Sequence, residues 1–405
     1  MEITVPAIEG GTPVRDGFLP FGRPQIIESD IEAAVATMRS GWLSTGPKVA
    51  EFEKVFAGYK GRPYALALSS CTAALHLSLL AIRLHPGDEV ITTAMTFAAT
   101  VNTILLAGGA PVIVDVDRWT QNITPQAIEA AITDRTKAVV VVHFAGMPCD
   151  MRAISEICRN RHIALIEDCA HAIETTCEGG QSGTFGLSGC FSFYGTKNIT
   201  TAIGEGGMLI CDNEKFYQWA RTASLHGMSK DAAARYNSKQ FRHYDIQIAG
   251  QKYNMTDVAA SVALNQLGRI EENWKKRVAI FNRYNEAFAD LPVILPVDNL
   301  ANGFTRHAYH LYTLRLDLDY LRVSRDHILD ALTQEGIGVG CHYISIPEHT
   351  FYKESDGKFL RLTDTPNAKW NSERTISIPL DATMESVDVQ HVIEAVRKVL
   401  IYYYK

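Results

Sequence analysis

The sequence predicts an α/β protein, a doubly wound, mostly parallel sheet flanked by helices, followed by a smaller C-terminal α+β domain. Three observations carry this. From Tyr64 onward, short apolar runs alternate with longer segments of helical period. The runs are continuous rather than alternating with polar residues, as expected of parallel strands covered on both faces. After about residue 210 the alternation stops and the layout changes.

Residues 1–20 are rich in Gly and Pro without periodicity and read as an arm over the body. Ser29 or Asp30 can cap a helix whose apolar positions Ile31, Ala34, Val35 and Met38 share one face, and Gly41 supplies a stop. Strand and helix segments then pair off: YALALS with TAALHLSLLAIRL, EVITT with FAATVNTILLAG, PVIVDV with TPQAIEAAI, AVVVVHF with DMRAISEICRN, and then IALIED. One long helix is expected over roughly 256–289. The domain boundary falls inside it, near residue 265, giving a large domain over 21–264 and a small one over 265–405. There HLYTLRL is strand-like, Ser324 opens a helix carrying Ile328, Leu329 and Leu332 that ends at Gly336, and a last helix covers 389–400. A ligand site is expected at the carboxyl ends of the large-domain strands.

Composition bounds the function. The chain has 405 residues, of which 46% are hydrophobic and 21% charged, an ordinary globular balance. Lys plus Arg 39 against Asp plus Glu 45 gives a net charge of −6, which argues against nucleic-acid and anionic-membrane partners. Any bound phosphate must be held locally. The eight cysteines are scattered without a Cys-x-x-Cys pair and read as reduced, mostly buried thiols of a cytoplasmic protein. The start, MEITVPAIEGG, has no signal-like apolar core, and no apolar run is long enough to span a bilayer.

Four places could carry chemistry. In Ser69-Ser70-Cys71-Thr72 a strand passes through small polar residues into a helix, where free N–H groups and the helix dipole favour a phosphate; plain capping is the alternative. The strand IALIED delivers Glu167 and Asp168 at its carboxyl end, where a carboxylate needs a cation or donors unless it merely caps the next turn. His171 follows three residues on. In FSFYGTKNI, Lys197 lies between an aromatic strand and the glycine-rich GEGG, placed for partial burial that makes an amine nucleophilic. The turn GQKYNMTD offers Asn254 as a phosphate donor and Lys252 as a local cation, or Thr256 and Asp257 as caps. His307 and His310 lack a third ligand at useful spacing, so a metal is not expected. In this order, anion site, strand-ending Asp and loop Lys are the three needs of pyridoxal phosphate.

With these motifs in place, the chain resembles the fold-type-I, pyridoxal-phosphate-dependent sugar aminotransferases of the DegT/DnrJ type from about Leu19 to about Leu400. The carrying strings are LPFGRP, SGWLSTGPKVAEFE, SSCTAALH, GDEVIT, VDVD, IEDCAHA, FSFYGTKNITT with GEGG, GQKYNMTD, RHAYHLY and WNSERTISIPL. Within the family, SGW…STGPK, KNIT, KYN…TD and WNSER most resemble enzymes that form UDP-4-amino-4-deoxy-L-arabinose for lipid A modification in lipopolysaccharide.

The resemblance implies an aspartate-aminotransferase-like fold with pyridoxal 5'-phosphate as cofactor. It implies Lys197 as the Schiff-base lysine, Asp168 on the pyridinium nitrogen, His171 near the ring hydroxyl and Phe97 stacked on the ring. Cys71, Thr72 and Ser192 would hold the phosphate, with Asn254 reaching across from a second subunit of a homodimer with shared sites. Trp42, Ser44, Thr45, Lys252, His342 and Tyr343 would border a nucleotide-linked keto sugar, and glutamate would be the amino donor. Three positions depart from the family pattern: Phe97 stands where Trp is expected, Glu174 where Gly is expected, and 346–349 differ. A sugar 3-aminotransferase, a sugar dehydratase and a non-catalytic sugar-nucleotide-binding regulator are the alternatives. Dehydratases of this scaffold replace the lysine, so Lys197 argues against that one.

Overall fold

The computed structural model describes residues 4–228, 244–299 and 305–405. Its centre is an eight-stranded sheet built from β1 (Tyr64–Leu68), β2 (Glu89–Thr93), β3 (Ala110–Val114), β4 (Thr136–Val142), β5 (Ala164–Asp168), β8 (Ser188–Ser192), β9 (Gly207–Cys211) and β13 (Arg361–Leu362). The strand order is β1-β9-β8-β5-β4-β2-β3-β13. Only β9 is antiparallel to its neighbours, so the sheet is mostly parallel, as the continuous apolar runs predict.

Helices α1 (Glu28–Arg39), α2 (Pro47–Lys60), α3 (Cys71–Ile82), α4 (Ala98–Leu106), α5 (Pro125–Ala131), α6 (Met151–Asn160), α7 (Glu214–Ala223) and α8 (Asp257–Leu267) surround the sheet. One layer packs Phe52 and Phe56 of α2 and Ala260 of α8 on Phe191. The opposite layer packs Ala74 and Leu77 of α3 on Ile166 and Cys190. Successive strand residues face opposite sides, so Asp168 and Ser192 share the α3 side with Ile166 and Cys190.

A second core lies against a three-stranded antiparallel sheet of β10 (Val293–Ile294), β12 (Tyr312–Leu316) and β14 (Thr375–Ile378). It buries Phe281 and Tyr284 of α9 (Ile270–Phe288), Leu332 of α10 (Arg325–Gln334) and Val396 of α13 (Ser386–Tyr402). Two short helices, α11 (Thr350–Ser355) and α12 (Pro366–Arg374), complete the chain. A small sheet of β6 (Thr176–Cys177), β7 (Gly180–Gln181) and β11 (Thr305–Arg306) joins the two halves. The N-terminal arm is fixed to this second core: Leu19 is buried in it, and Glu335 accepts the N–H groups of Ala7 and Val14.

Two expectations are corrected. The helix over 256–289 is two helices, α8 and α9, meeting at Gly268 and Arg269, because the Arg269 side chain turns to the Asp30 carboxylate and the Gln25 carbonyl. For α1, neither Ser29 nor Asp30 is the cap; Ile27 is, and Asp30 sits inside the first turn accepting the Ile27 N–H. Its buried face carries Asp30 and Thr37, whereas Ile31 (47%) and Met38 (50%) face solvent in the single chain. Paired with Arg269 and Asn265, the Asp30 carboxylate is held below its ordinary value despite burial, and this pairing orients the helix.

Candidate active site

At the carboxyl ends of β1, β2, β5 and β8 lies a cavity of about 630 Å³, within the usual range for cofactor and small-ligand sites. Its first wall is the turn from β1 into α3. Ser70 caps α3 by accepting the Ala73 N–H, and the N–H groups of Cys71 and Thr72, at the first two helical positions, have no intrahelical acceptor. They are available to an anion. β9 approaches this turn so closely that a Cβ on Gly207 would lie 2.3 Å from the Ser70 carbonyl carbon, so only glycine lets it in. Ser192, at the end of β8, lines the same cavity.

The two acids of IALIED divide by strand alternation. Glu167 faces away, fully buried, accepting the N–H groups of Gly183, Phe185 and Gly186 beside His143. It is structural. Asp168 faces the cavity, where Thr100 Oγ1 donates to Oδ2 at 2.8 Å and the Ala170 N–H to Oδ1 at 3.1 Å. Thr96 in turn donates to Thr100 at 2.7 Å. Burial pushes the Asp168 pKa up, against the pull of the Thr100 hydrogen bond. A cationic N–H donor would satisfy this buried carboxyl. The Cys71 thiol, 3.8 Å away, is kept protonated by burial and by Asp168.

Lys197 enters from the loop between β8 and β9. Burial lowers its pKa from 10.5 to about 8, with Asp168 and Cys71 opposing the shift. Its Nζ lies 3.2 Å from His310 Nε2. His171 accepts the Ala145 N–H on Nδ1, so its neutral ring carries the proton on Nε2, 3.2 Å from the Tyr343 hydroxyl. Burial holds His171 well below its ordinary pKa, so the ring is neutral. His342 is lowered to about 4 by burial, stacks on Phe21 and shares a hydrogen bond with Ser377.

Of the residues singled out from sequence, Cys71, Thr72, Phe97, Asp168, His171, Ser192, Lys197, His342 and Tyr343 line this one cavity. Trp42, Ser44, Thr45, Lys252 and Asn254 are not brought into it. Asn254 donates to Thr45 Oγ1 at 2.7 Å, and Thr45 donates to the Met255 carbonyl. They form a separate group near the start of α8. Phe97 is 64% exposed, its ring 6.4 Å from that of Tyr343.

Sequence reasoning missed Thr100, which sits in a helix read only for its apolar face. It weighed His310 only as a metal ligand beside His307. The two histidines point to different partners: His307 Nδ1 accepts the Tyr309 N–H, whereas His310 meets Lys197 and Asn198. Glu174, noted only as a departure, is a buried ion-pair partner of Arg277.

A free helix N-terminus and a serine for a phosphate, a buried carboxyl for a ring N–H, a histidine N–H for a ring oxygen and a half-buried amine of lowered pKa fit pyridoxal 5'-phosphate. The same donor set explains why each group faces one space.

Known proteins point the same way. The spore coat polysaccharide biosynthesis protein SpsC of Bacillus subtilis is 44% identical over 387 residues, covering 95% of this chain and 98% of that protein. Among solved structures, the putative sugar aminotransferase Spr1654 from Streptococcus pneumoniae in its PMP-form superposes with a TM-score of 0.86 at 33% identity, covering 95% of this chain and 99% of that one. Helicobacter pylori PseC, an aminotransferase involved in the biosynthesis of pseudoaminic acid, superposes with a TM-score of 0.86 at 26% identity, covering 95% of this chain and all of that one. The model of the DegT/DnrJ/EryC1/StrS aminotransferase family matches residues 24–397. With that match, and with the site geometry above, this chain belongs to the DegT/DnrJ/EryC1/StrS aminotransferase family.

Proposed function

We propose that the protein is a pyridoxal-phosphate-dependent sugar aminotransferase that converts a UDP-linked 4-keto sugar into the 4-amino sugar, with glutamate as amino donor. The observation that carries the pyridoxal-phosphate reading is the convergence of Asp168, Lys197, Ser192 and the first turn of α3 on one cavity; the UDP-linked 4-keto sugar and glutamate rest on the sequence resemblance. The division into a large domain over 21–264 and a small one over 265–405, with this cavity between them, belongs to the same proposal.

When bound, the cofactor supplies an electron sink beside the carbon that exchanges its amino group. The remaining tasks fall to the chain. The Cys71 and Thr72 N–H groups and Ser192 hold the phosphate. Asp168, oriented by Thr100 and Ala170, accepts the ring N–H and keeps it protonated. His171 donates from Nε2 to the ring oxygen. Lys197, with its pKa near 8, is partly free base at neutral pH and takes or returns a proton at Nζ. Phe97 and Tyr343, which line the cavity, would cover the ring and limit water. With the cofactor bound as amino-group carrier, glutamate would be the donor, released as its keto acid, and the keto sugar the acceptor.

A second copy of the chain completes the site in this proposal, supplying Asn254 to the phosphate and Trp42, Ser44, Thr45 and Lys252 to the sugar nucleotide. Supporting it, those residues stand outside the chain's own cavity, and Ile26, Ile31, Met38, Leu43 and Leu106 are exposed in the single chain. The product would enter a surface glycan, with the lipid A pentose the assignment that the strings SGW…STGPK and WNSER favour.

The test starts from protein converted by glutamate to its pyridoxamine phosphate form. UDP-4-ketopentose, UDP-4-keto-6-deoxyhexose and dTDP-linked keto sugars are then offered in turn. Recovery of the visible absorbance with a UDP-4-keto sugar is expected; recovery only with dTDP-linked or 3-keto sugars overturns the assignment.

A further inference from the structure

Beside Lys197 runs a chain of directional contacts that the proposed mechanism leaves unused. Glu174 and Arg277, both buried, form an ion pair at 2.5 Å. The second Glu174 oxygen accepts from Asn198 Nδ2 at 2.9 Å, and the Ala308 carbonyl accepts from the same nitrogen at 3.4 Å. A carboxylate and a carbonyl can only accept, so the Asn198 amide must present its NH₂ to them and its Oδ1 to the other side. There Oδ1 meets His310 Nδ1 at 3.0 Å, and that nitrogen must carry the proton. The neutral ring is left with its lone pair on Nε2, which faces Lys197 Nζ at 3.2 Å. Each link follows from the chemistry of the one before it.

We propose that His310 is the positioning residue of Lys197: the Arg277–Glu174–Asn198 chain fixes its tautomer so that Nε2 accepts a hydrogen bond from the unlinked lysine amine. This rests on Lys197 being the cofactor-bearing lysine, and it goes beyond that reading by assigning where the amine is held while it is free. The amine must leave the cofactor for each exchange and return in register. An acceptor beside it gives it one resting place instead of a rotating tether. Behind Lys197, on the His310 and His342 side, there is a cavity of only about 30 Å³, room for about one water. Other groups face Lys197: Asp168 and Cys71 raise its pKa, while His171 and His342 are held neutral by burial. His310 itself is kept well below its ordinary pKa by burial, then by Lys197, His171, His342 and Arg277, so it stays a neutral acceptor across the working range.

The test uses the protein loaded with pyridoxamine phosphate, in which Lys197 is unlinked. Acylation of Lys197 by acetic anhydride is followed by peptide mass spectrometry as a function of pH. In the native protein the labelling midpoint is expected below the ordinary lysine value of 10.5, since burial lowers it. In His310→Leu, losing the acceptor that stabilises the ammonium moves this midpoint down by about one pH unit. His310→Gln, which can present an oxygen at the same place, returns it to within about 0.3 units. The tautomer is read separately in the native protein from ¹⁵N histidine spectra, with the His310 signal assigned by its loss in His310→Gln. A proton on Nδ1 is expected. A midpoint unchanged in His310→Leu, or a proton on Nε2, overturns the proposal. Failure of borohydride to fix pyridoxal phosphate to Lys197 would instead overturn the assignment of the lysine, whatever His310 does.

Discussion

Lys60 and Lys197 lie in two regions of the molecule that burial treats alike: each amine is lowered from 10.5 to about 8. Lys60, the last residue of α2, is 2% exposed. Its Nζ donates to the Ile173 carbonyl at 2.9 Å and to Ser182 Oγ at 3.3 Å, 5.0 Å from the centre of the Phe191 ring. Every direction is filled by protein, so the amine ties α2 to the 173–182 segment. Lys197 faces a cavity of about 630 Å³, with Asp168 and the β1–α3 turn beyond it. A lowered pKa therefore does not by itself mark an active lysine. What marks it is open space in front of the nitrogen and groups placed for a ligand there.

The two lysines should differ most under truncation. Lys197→Ala is expected to lower turnover by about 10⁴-fold or more while leaving the denaturation midpoint near that of the native protein. Lys60→Met should keep turnover within about threefold but destabilise by about 1–3 kcal/mol, since the Ile173 carbonyl loses its donor. Steady-state rates and chemical denaturation of the two variants, measured side by side, decide it.

A smaller effect sharpens the Lys60 side. The folded protein releases the Lys60 proton near pH 8, whereas the unfolded chain holds it to the ordinary value of 10.5. Between these values the unfolded state binds more protons, so stability rises with pH. Lys197 has the same sign. Lys60→Met should lose its share of that slope, at most about 1.4 kcal/mol per pH unit. Equal slopes in the two proteins would show that Lys60 is not held at low pKa.

Smallest is the expected effect on the Lys197 side. Thr100→Val removes one donor to Asp168, whose carboxyl then rises further because burial is less opposed. Turnover should fall about tenfold, with the acid limb of the pH profile moved to higher pH. A profile that only scales down without shifting would assign Thr100 to packing alone.

How far each residue was legible follows from how local its reason is. Asp168 could be found because a strand's carboxyl end and its last residue are adjacent in sequence, and Cys71 and Thr72 because a strand-to-helix turn is a single segment. Strand alternation turns Glu167, the neighbour of Asp168, to the opposite face, where it accepts backbone N–H groups. Thr100 reaches Asp168 across 68 positions, His310 reaches Lys197 across 113, and Tyr343 reaches His171 across 172. Periodicity has no access to such separations. The face of α1 was misjudged for a related reason: Ile31 and Met38 are apolar at helical spacing, but the ion pair of Asp30 with Arg269 turns the other side inward.

The alternating α/β layout and the order of small-polar strand-to-helix turn, strand-ending Asp168 and loop Lys197 are written in the sequence. These are set by hydrophobic period and by residues next to one another in the chain. Tertiary packing added that Thr100 holds Asp168, that His310 meets Lys197, that the Tyr343 hydroxyl meets His171, and that a buried Glu174–Arg277 pair stands behind Asn198. Those contacts depend on how α4, α9, the 305–312 segment and the 341–343 turn are laid against the sheet ends. That placement comes from packing two cores together, and no local pattern in the sequence encodes it.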